Sequence, residues 1–311
     1  MSVQFTTPPP VGPDAKPISL SFPDNCDGGR IAVITFNSPE RLNAVNWADM
    51  LVFIEILRWI AVQPDILITV LTGTGRYFSA GANVKDPSRT PPKEVEQADR
   101  NTHHGRMLIE RYFGSRMNTS NGTLARVLNT FPKVLVGAMN GPAVGISAAI
   151  LGHCDLLYTF DDFFLFTPFT SLALVSEGLA SVTFVRKMGL GRAQEALLEG
   201  RRMLAPELKE AGFITRIFPK PAPQPASGGD KHATPNILDP VLHHLRSKLL
   251  PPTANAFALL YTKNLIQRAT YDNLGADAAN QNELRGAELV FGSGEPAKQF
   301  ERLASGGRHK I

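Results

Sequence analysis

The chain has 311 residues, 43% hydrophobic and 19% charged, a length and balance that suit a globular protein with a sizeable core and exclude wholesale disorder. Thirty-two Lys and Arg against 28 Asp and Glu leave a net charge of +4, too dilute to make a nucleic-acid surface by itself. The two cysteines, Cys26 and Cys154, are too few for a disulfide framework, so the chain reads as belonging to a reducing interior.

Residues 1–29 read as a loose arm: MSVQFTTPPPVGPDAKP is Pro-rich and has neither the basic start nor the apolar run of a signal peptide. From Arg30 the pattern alternates. IAVITFN is a β-branched strand, AVNWADMLVFIEILRWIAV carries apolar residues at helical spacing, and ILITVLTG is a second strand, which together predict an α/β fold. DPSRTPPKEVEQADRNTHHG begins as a Pro-containing loop and continues as a solvated helix running toward Leu124. Residues 134–152 are uncharged and long enough to cross a bilayer, but Asn140, Gly141, Pro142 and Gly145 interrupt them. The better reading is a buried strand (VLVGAM), a tight turn and a buried helix from about Ile146, with no membrane span. Short strands at 155–158 and 163–166 and helices around 180–188 and 193–198 complete a core over 30–218. Residues 219–236, dense in Pro, Gly, Ser and Ala, form a linker. The region 237–311 then reads as helical, with three amphipathic segments that must pack on the α/β part or on another subunit.

The chain carries no phosphate-binding loop, no H-E-x-x-H and no G-x-S-x-G, and GTGRYF and GLGRAQ each lack the third glycine of a dinucleotide fingerprint. The seven histidines have no metal-ligand spacing, so no metal is expected. Two glycine turns are more informative. Phe78-Ser79-Ala80-Gly81-Ala82-Asn83 follows the strand ILITVLTG; Asn140-Gly141-Pro142-Ala143-Val144-Gly145-Ile146 follows VLVGAM and opens a helix. Small residues let a ligand approach the backbone, and a helix start offers free N–H groups, so two strand ends can aim amide donors at one oxygen. The spacing alone is equally that of two plain tight turns.

ITFNSPERLNAV, VLTGTGRYFSAGANVKD, FPKVLVGAMNGPAVGISAAILGHCDLLY and ITRIFP, in that order over about 30–219, resemble the crotonase superfamily of enoyl-CoA hydratases and isomerases. The resemblance implies a crotonase-like ββα spiral core with a C-terminal helical region that assembles homotrimers or homohexamers. It implies an acyl-CoA substrate, with coenzyme A part of the substrate rather than a separate cofactor. It places the thioester oxygen against the backbone N–H groups of Ala82 and Ile146, with Ala80, Gly81, Asn83, Val84, Lys85 and Gly145 around the coenzyme. Asn83 stands where the family commonly has Asp. Lys85 is the first choice for the phosphates, ahead of Arg76 and Arg89, which read equally as surface charges.

Hydratases of that superfamily use two glutamates, and the matching positions here are Ala149 and Phe169. Neither can move a proton. Glu177, the only acid between Asp162 and Glu195, sits in an apolar run that would raise its pKa toward the working pH. Its plain alternative is a place in the first turn of a helix capped by Ser176. The Ser-Glu-Gly placement, with Ile146 where hydratases have glycine, resembles the fungal peroxisomal Δ3,Δ2-enoyl-CoA isomerases, in which one glutamate carries a proton from carbon 2 to carbon 4. Asn121 matches an asparagine that those isomerases set beside the glutamate, or is a turn residue of Asn-Gly. Hydration or dehydration of a specialised acyl-CoA, and acyl-CoA binding without turnover, are the competing readings. His309-Lys310-Ile311 departs from the commonest peroxisomal address but keeps its lysine, which suggests an import receptor as partner and peroxisomal location, with cytoplasm or mitochondrion as alternatives.

Overall fold

In the computed structural model, which describes residues 7–23, 30–220, 236–271 and 275–306, the β-branched runs become a central sheet. β1 (Ile18–Ser21) pairs antiparallel with β2 (Arg30–Phe36). This corrects the loose-arm expectation: Ile18 and Leu20 are each 1% exposed, with Ile18 opposite Phe36. A four-residue strand beside prolines gives too short a period to stand out.

α1 (Trp47–Ala61) buries Met50, Phe53, Ile54, Leu57 and Ile60 along one stripe, and Asp49 Oδ2 accepts the Asn46 N–H at 2.8 Å to start it. β3 (Ile66–Gly73) returns in parallel beside β2. After α2 (Lys93–Glu96), α3 (His103–Met117) runs through a π-helical turn at Asn118–Gly122 into α4 (Thr123–Asn129). Next come β4 (Val134–Met139), β5 (Ala143–Val144), α5 (Ile146–Leu151), β6 (Leu156–Thr159) and β7 (Phe164–Phe166). α6 (Ala180–Leu197) is broken at Gly189, whose φ +76° and ψ 163° are not helical, so the span is two helices in succession, as expected around 180–188 and 193–198. β8 (Met203–Leu204), α7 (Ala205–Glu210) and β9 (Arg216–Ile217) close the core.

The main sheet has the order β1-β2-β3-β4-β6-β9 and a smaller one the order β5-β7-β8. Successive turns thus step sideways in two sheets, which is the spiral expected. The main sheet is covered on both faces, so its strands are continuous apolar runs rather than alternating ones. α1, α4, α5 and α6 fill one side. α8 (Leu238–Leu249) covers the other with Val241, Leu242 and Leu245.

Among its described residues the C-terminal region holds four helices, one more than expected: α8, α9 (Ala256–Tyr271), α10 (Ala276–Ser293) and α11 (Glu295–Ala304). The charged EPAKQFERLA hides its helical stripe until it is seen docked. Most of the expected linker (221–235) and the tail 307–311 lie outside the described residues. Among the described residues no helix is long and apolar enough to cross a membrane.

Candidate active site

The two glycine turns meet. Ser79 and Ala143 form a parallel bridge, the Val144 N–H donates to Ser79 O at 3.0 Å, and the Ser147 hydroxyl lies 2.6 Å from that of Ser79. Gly81 adopts φ +85°, and a Cβ there would lie 2.5 Å from Val144 O, so only glycine lets the turns close to this distance. Asn43, whose side chain donates to Thr74 O and Tyr77 O at 2.8 Å each, fixes the approach of the first turn.

Two backbone amides stand at this juncture. The parallel bridge between Val45 and Ala82 uses the Val45 N–H, to Gly81 O, and the Asn83 N–H, to Val45 O. The Ala82 N–H is outside that ladder. Ile146 is the first residue of α5, where an N–H has no acceptor within the helix. Ala82 and Ile146 both line a cavity of about 810 Å³.

Asn121 and Glu177 face the same cavity. The Asn121 side-chain amide donates to Glu177 Oε2, and the Ser120 hydroxyl, 2.9 Å from Asn121 Oδ1, orients it. The Asn-Gly pair is therefore no turn between elements: it sits in the π-helical insertion, a distortion that re-aims a side chain within a continuous helix. Glu177 likewise is not in a helix's first turn. α6 starts at Ala180, and the Ser176 hydroxyl points to Glu283 rather than capping α6. Removal from water pushes the Glu177 carboxyl up to about 7; Arg89 and the Asn121 bond oppose this and Glu283 adds to it.

Residues 27–223 match the family described as enoyl-CoA hydratase/isomerase. The chain belongs to this family. A Pyricularia oryzae protein named Delta(3,5)-Delta(2,4)-dienoyl-CoA isomerase is 34% identical over 91% of this chain and 96% of its own length. The Saccharomyces cerevisiae 3,2-trans-enoyl-CoA isomerase is 26% identical over 89% of this chain and 92% of its own. Among solved structures, an enoyl-CoA hydratase/isomerase from Pseudoalteromonas atlantica superposes with a TM-score of 0.69 at 21% identity, covering 95% of this chain and 100% of that one.

Within this family member the remaining expected positions divide. Ala80, Val84, Lys85 and Gly145 line the cavity, Lys85 from an exposed place. Gly81 and Asn83 shape its wall without lining it; the Asn83 side chain donates to Asn46 Oδ1 at 2.8 Å. Arg76 is exposed and away from the cavity. Ala149 and Phe169 are buried and apolar, as the sequence required.

Arg89 is not the surface charge that its sequence context suggests. Its Nε donates to Asn83 O at 2.9 Å, its guanidinium lies 4.9 Å from the Phe300 ring centre on α11, and it faces Glu177. Burial lowers its own pKa. Glu283, on α10, also escaped the sequence reading. Their telling contacts are long-range, Arg89 with Phe300 and Glu177 and Glu283 with residues 176–181, and no local pattern records them. α11 closes the cavity with Ala297, Phe300 and Leu303. Among the described residues no cluster of His, Cys, Asp and Glu could hold a metal ion.

Proposed function

We propose that this chain is a Δ3,Δ2-enoyl-CoA isomerase, moving the double bond of a 3-enoyl-CoA into conjugation with the thioester. The observation that carries this is the joined pair Asn121 and Glu177 sharing one cavity with the Ala82 and Ile146 amides. The Glu177 carboxylate takes a proton from carbon 2, the electron pair moves onto the thioester oxygen, and the resulting dienolate is met by the two N–H groups. Charge grows on that oxygen only as the proton leaves, so the amides bind the dienolate more strongly than the substrate. The same carboxyl then returns its proton to carbon 4, and the carbonyl re-forms with the double bond between carbons 2 and 3. A carboxyl near pKa 7 suits both halves, being basic enough to accept and acidic enough to give back. The apolar wall of Phe169, Leu172 and Leu174 keeps water from exchanging the shuttled proton.

The other cavity carboxylates fit the reaction less well. Glu96 and Glu301 are exposed, and Asp86 accepts from the Trp47 N–H at 3.2 Å and from Ser88. Transfer from carbon 2 to carbon 6 of a 3,5-dienoyl-CoA is the second reading, favoured by the name of the Pyricularia relative. It requires delivery two carbons further along than the shift from carbon 2 to carbon 4.

Lys85, at the mouth, is proposed to meet coenzyme A phosphate. α9 presents Phe257, Tyr261 and Leu265, 74%, 54% and 52% exposed and four residues apart, and this apolar stripe supports assembly with further copies as a trimer. Peroxisomal location belongs to the same reading. The deciding experiment gives the purified protein 3-enoyl-CoA, 3,5-dienoyl-CoA and 2-enoyl-CoA in turn and identifies products by mass and ultraviolet absorbance. Conversion of the first to 2-trans-enoyl-CoA is expected; hydration of the third with no isomerisation would overturn the reading.

A further inference from the structure

Glu283 is a buried carboxylate that the reaction above does not use. Glu283 on α10 is 9% exposed and accepts four hydrogen bonds. Its Oε2 takes the Leu179 N–H at 2.6 Å; its Oε1 takes the Ser181 N–H at 3.1 Å and the hydroxyls of Ser181 and Ser176 at 2.5 and 3.2 Å. Burial pushes the Glu283 carboxyl above its ordinary range, and the four donors oppose that by favouring the anion; the Ser hydroxyls can turn to accept a proton, but the Leu179 and Ser181 N–H groups cannot.

These donors bracket Glu177. Between it and α6 the backbone passes through two consecutive left-handed residues, Gly178 at φ +65° and Leu179 at φ +62°. Leucine is disfavoured there, so the conformation persists only where its surroundings impose it. The bond from the Leu179 N–H to Glu283 is one such constraint. The same face of α10 reaches the segment carrying Asn121: Asn280 donates to Gly122 O at 3.3 Å, and Leu284 lies 2.7 Å from where a Gly122 Cβ would stand. One helical surface, at spacing i, i+3, i+4, therefore braces both halves of the proton-handling pair.

We propose that Glu283 is a positioning residue that locks the left-handed turn behind Glu177 and places a fixed negative charge next to it. The inference rests on Glu177 acting as the base. The groups facing Glu177 are Arg89 from the 83–91 loop, Asn121 from the π-helical turn and Glu283 from α10; Asp86 and Arg116 act on Arg89 in turn. Of the two charges, Arg89 favours the ionised carboxylate and Glu283 disfavours it.

The test is the pH–rate profile of the full-length protein on a 3-enoyl-CoA, for wild type, Glu283→Gln and Glu283→Asp. In Glu283→Gln the acid limb moves down by about one pH unit and kcat falls roughly tenfold, because the base is both less basic and less well held. Glu283→Asp, which keeps the charge, keeps the limb within a fraction of a unit of wild type. A folded, slower Glu283→Gln with an unmoved acid limb would reduce Glu283 to a structural bond and overturn the proposal. Carboxyl 13C NMR of wild type, with Glu283 assigned from its displacement in Ser181→Ala, covers the case in which Glu283→Gln does not fold. Its signal should stay that of a carboxylate while Glu177 titrates, and a protonated Glu283 at pH 7 would overturn the proposal equally. Wild-type protein inactive on every 3-enoyl-CoA, with the NMR result as expected, would instead refute the isomerase reading.

Discussion

The Asn121 amide reaches Glu177 Oε2 from 56 residues away, and it does so from a π-helical turn rather than from a loop. Removing the carboxylate while keeping its shape tests the proposed role of the pair most directly. Glu177→Gln should lower kcat by about 10²–10⁴-fold, the range for loss of a positioned acid or base. Acyl-CoA affinity, measured by calorimetry, should stay within a few-fold of wild type, because the Ala82 and Ile146 amides and the cavity wall are untouched.

The partners of Glu177 set where its activity appears on the pH axis. In the proposed mechanism Glu177 works ionised, so the rate should rise with pH through about 7. Asn121 and Arg89 both stabilise that ionised form. Asn121→Ala and Arg89→Gln should therefore each displace the acid limb upward, by roughly half a unit to one unit. The direction is opposite to that expected for Glu283→Gln, and steady-state profiles of the three variants side by side decide it.

A carboxyl held near 7 also costs stability. The folded chain binds the Glu177 proton more tightly than the unfolded chain, whose value is near the ordinary 4.5. The contribution is thus fully present below about 4.5 and lost as pH rises through about 7. Glu177→Gln, which has no proton to lose, should be more stable than wild type at pH 8 by ~2 kcal/mol, an advantage that shrinks toward zero at pH 4. Urea unfolding at the two pH values measures it. An inactive variant that is more stable than its parent is the expected signature of a site strained for function.

How far the sequence revealed this site follows from the range of each signal. VLVGAM reads as a strand and Ile146 as a helix start because burial, β-branching and a glycine turn act within a few residues. Glu177 is conspicuous because it is the one acid in a long apolar run. Asn121 is ambiguous, since Asn-Gly is the commonest turn signal and a π-helical insertion has no sequence period of its own. Arg89 and Glu283 are invisible for a different reason. A charged residue reads as a surface one until tertiary contacts enclose it, and those contacts come from α10 and α11, whose docking is decided by the whole fold. The C-terminal helices thus hold what local patterns cannot: the α11 wall of the cavity and, on α10, one of the two charges that face Glu177.

The juncture of the two glycine turns admits a sharp comparison. Gly81 combines φ +85° with a Cβ position 2.5 Å from the Val144 carbonyl oxygen, a backbone atom that cannot swing away. Gly189 has a similar φ of +76° but open space around its Cβ position. Gly189→Ala should then carry only the conformational penalty of a φ and ψ open essentially to glycine alone, roughly 1–3 kcal/mol, and keep wild-type kcat/KM. Gly81→Ala adds a clash that forces the first turn away from the second, so its loss of stability should exceed that of Gly189→Ala by about 2 kcal/mol. Because the turn carries the Ala82 amide, kcat/KM should fall by about 10²-fold, in line with removal of one oxyanion donor. Thermal unfolding and steady-state kinetics on the two variants read both quantities, and equal behaviour of the pair would mean that the close approach of the turns does not position the amide.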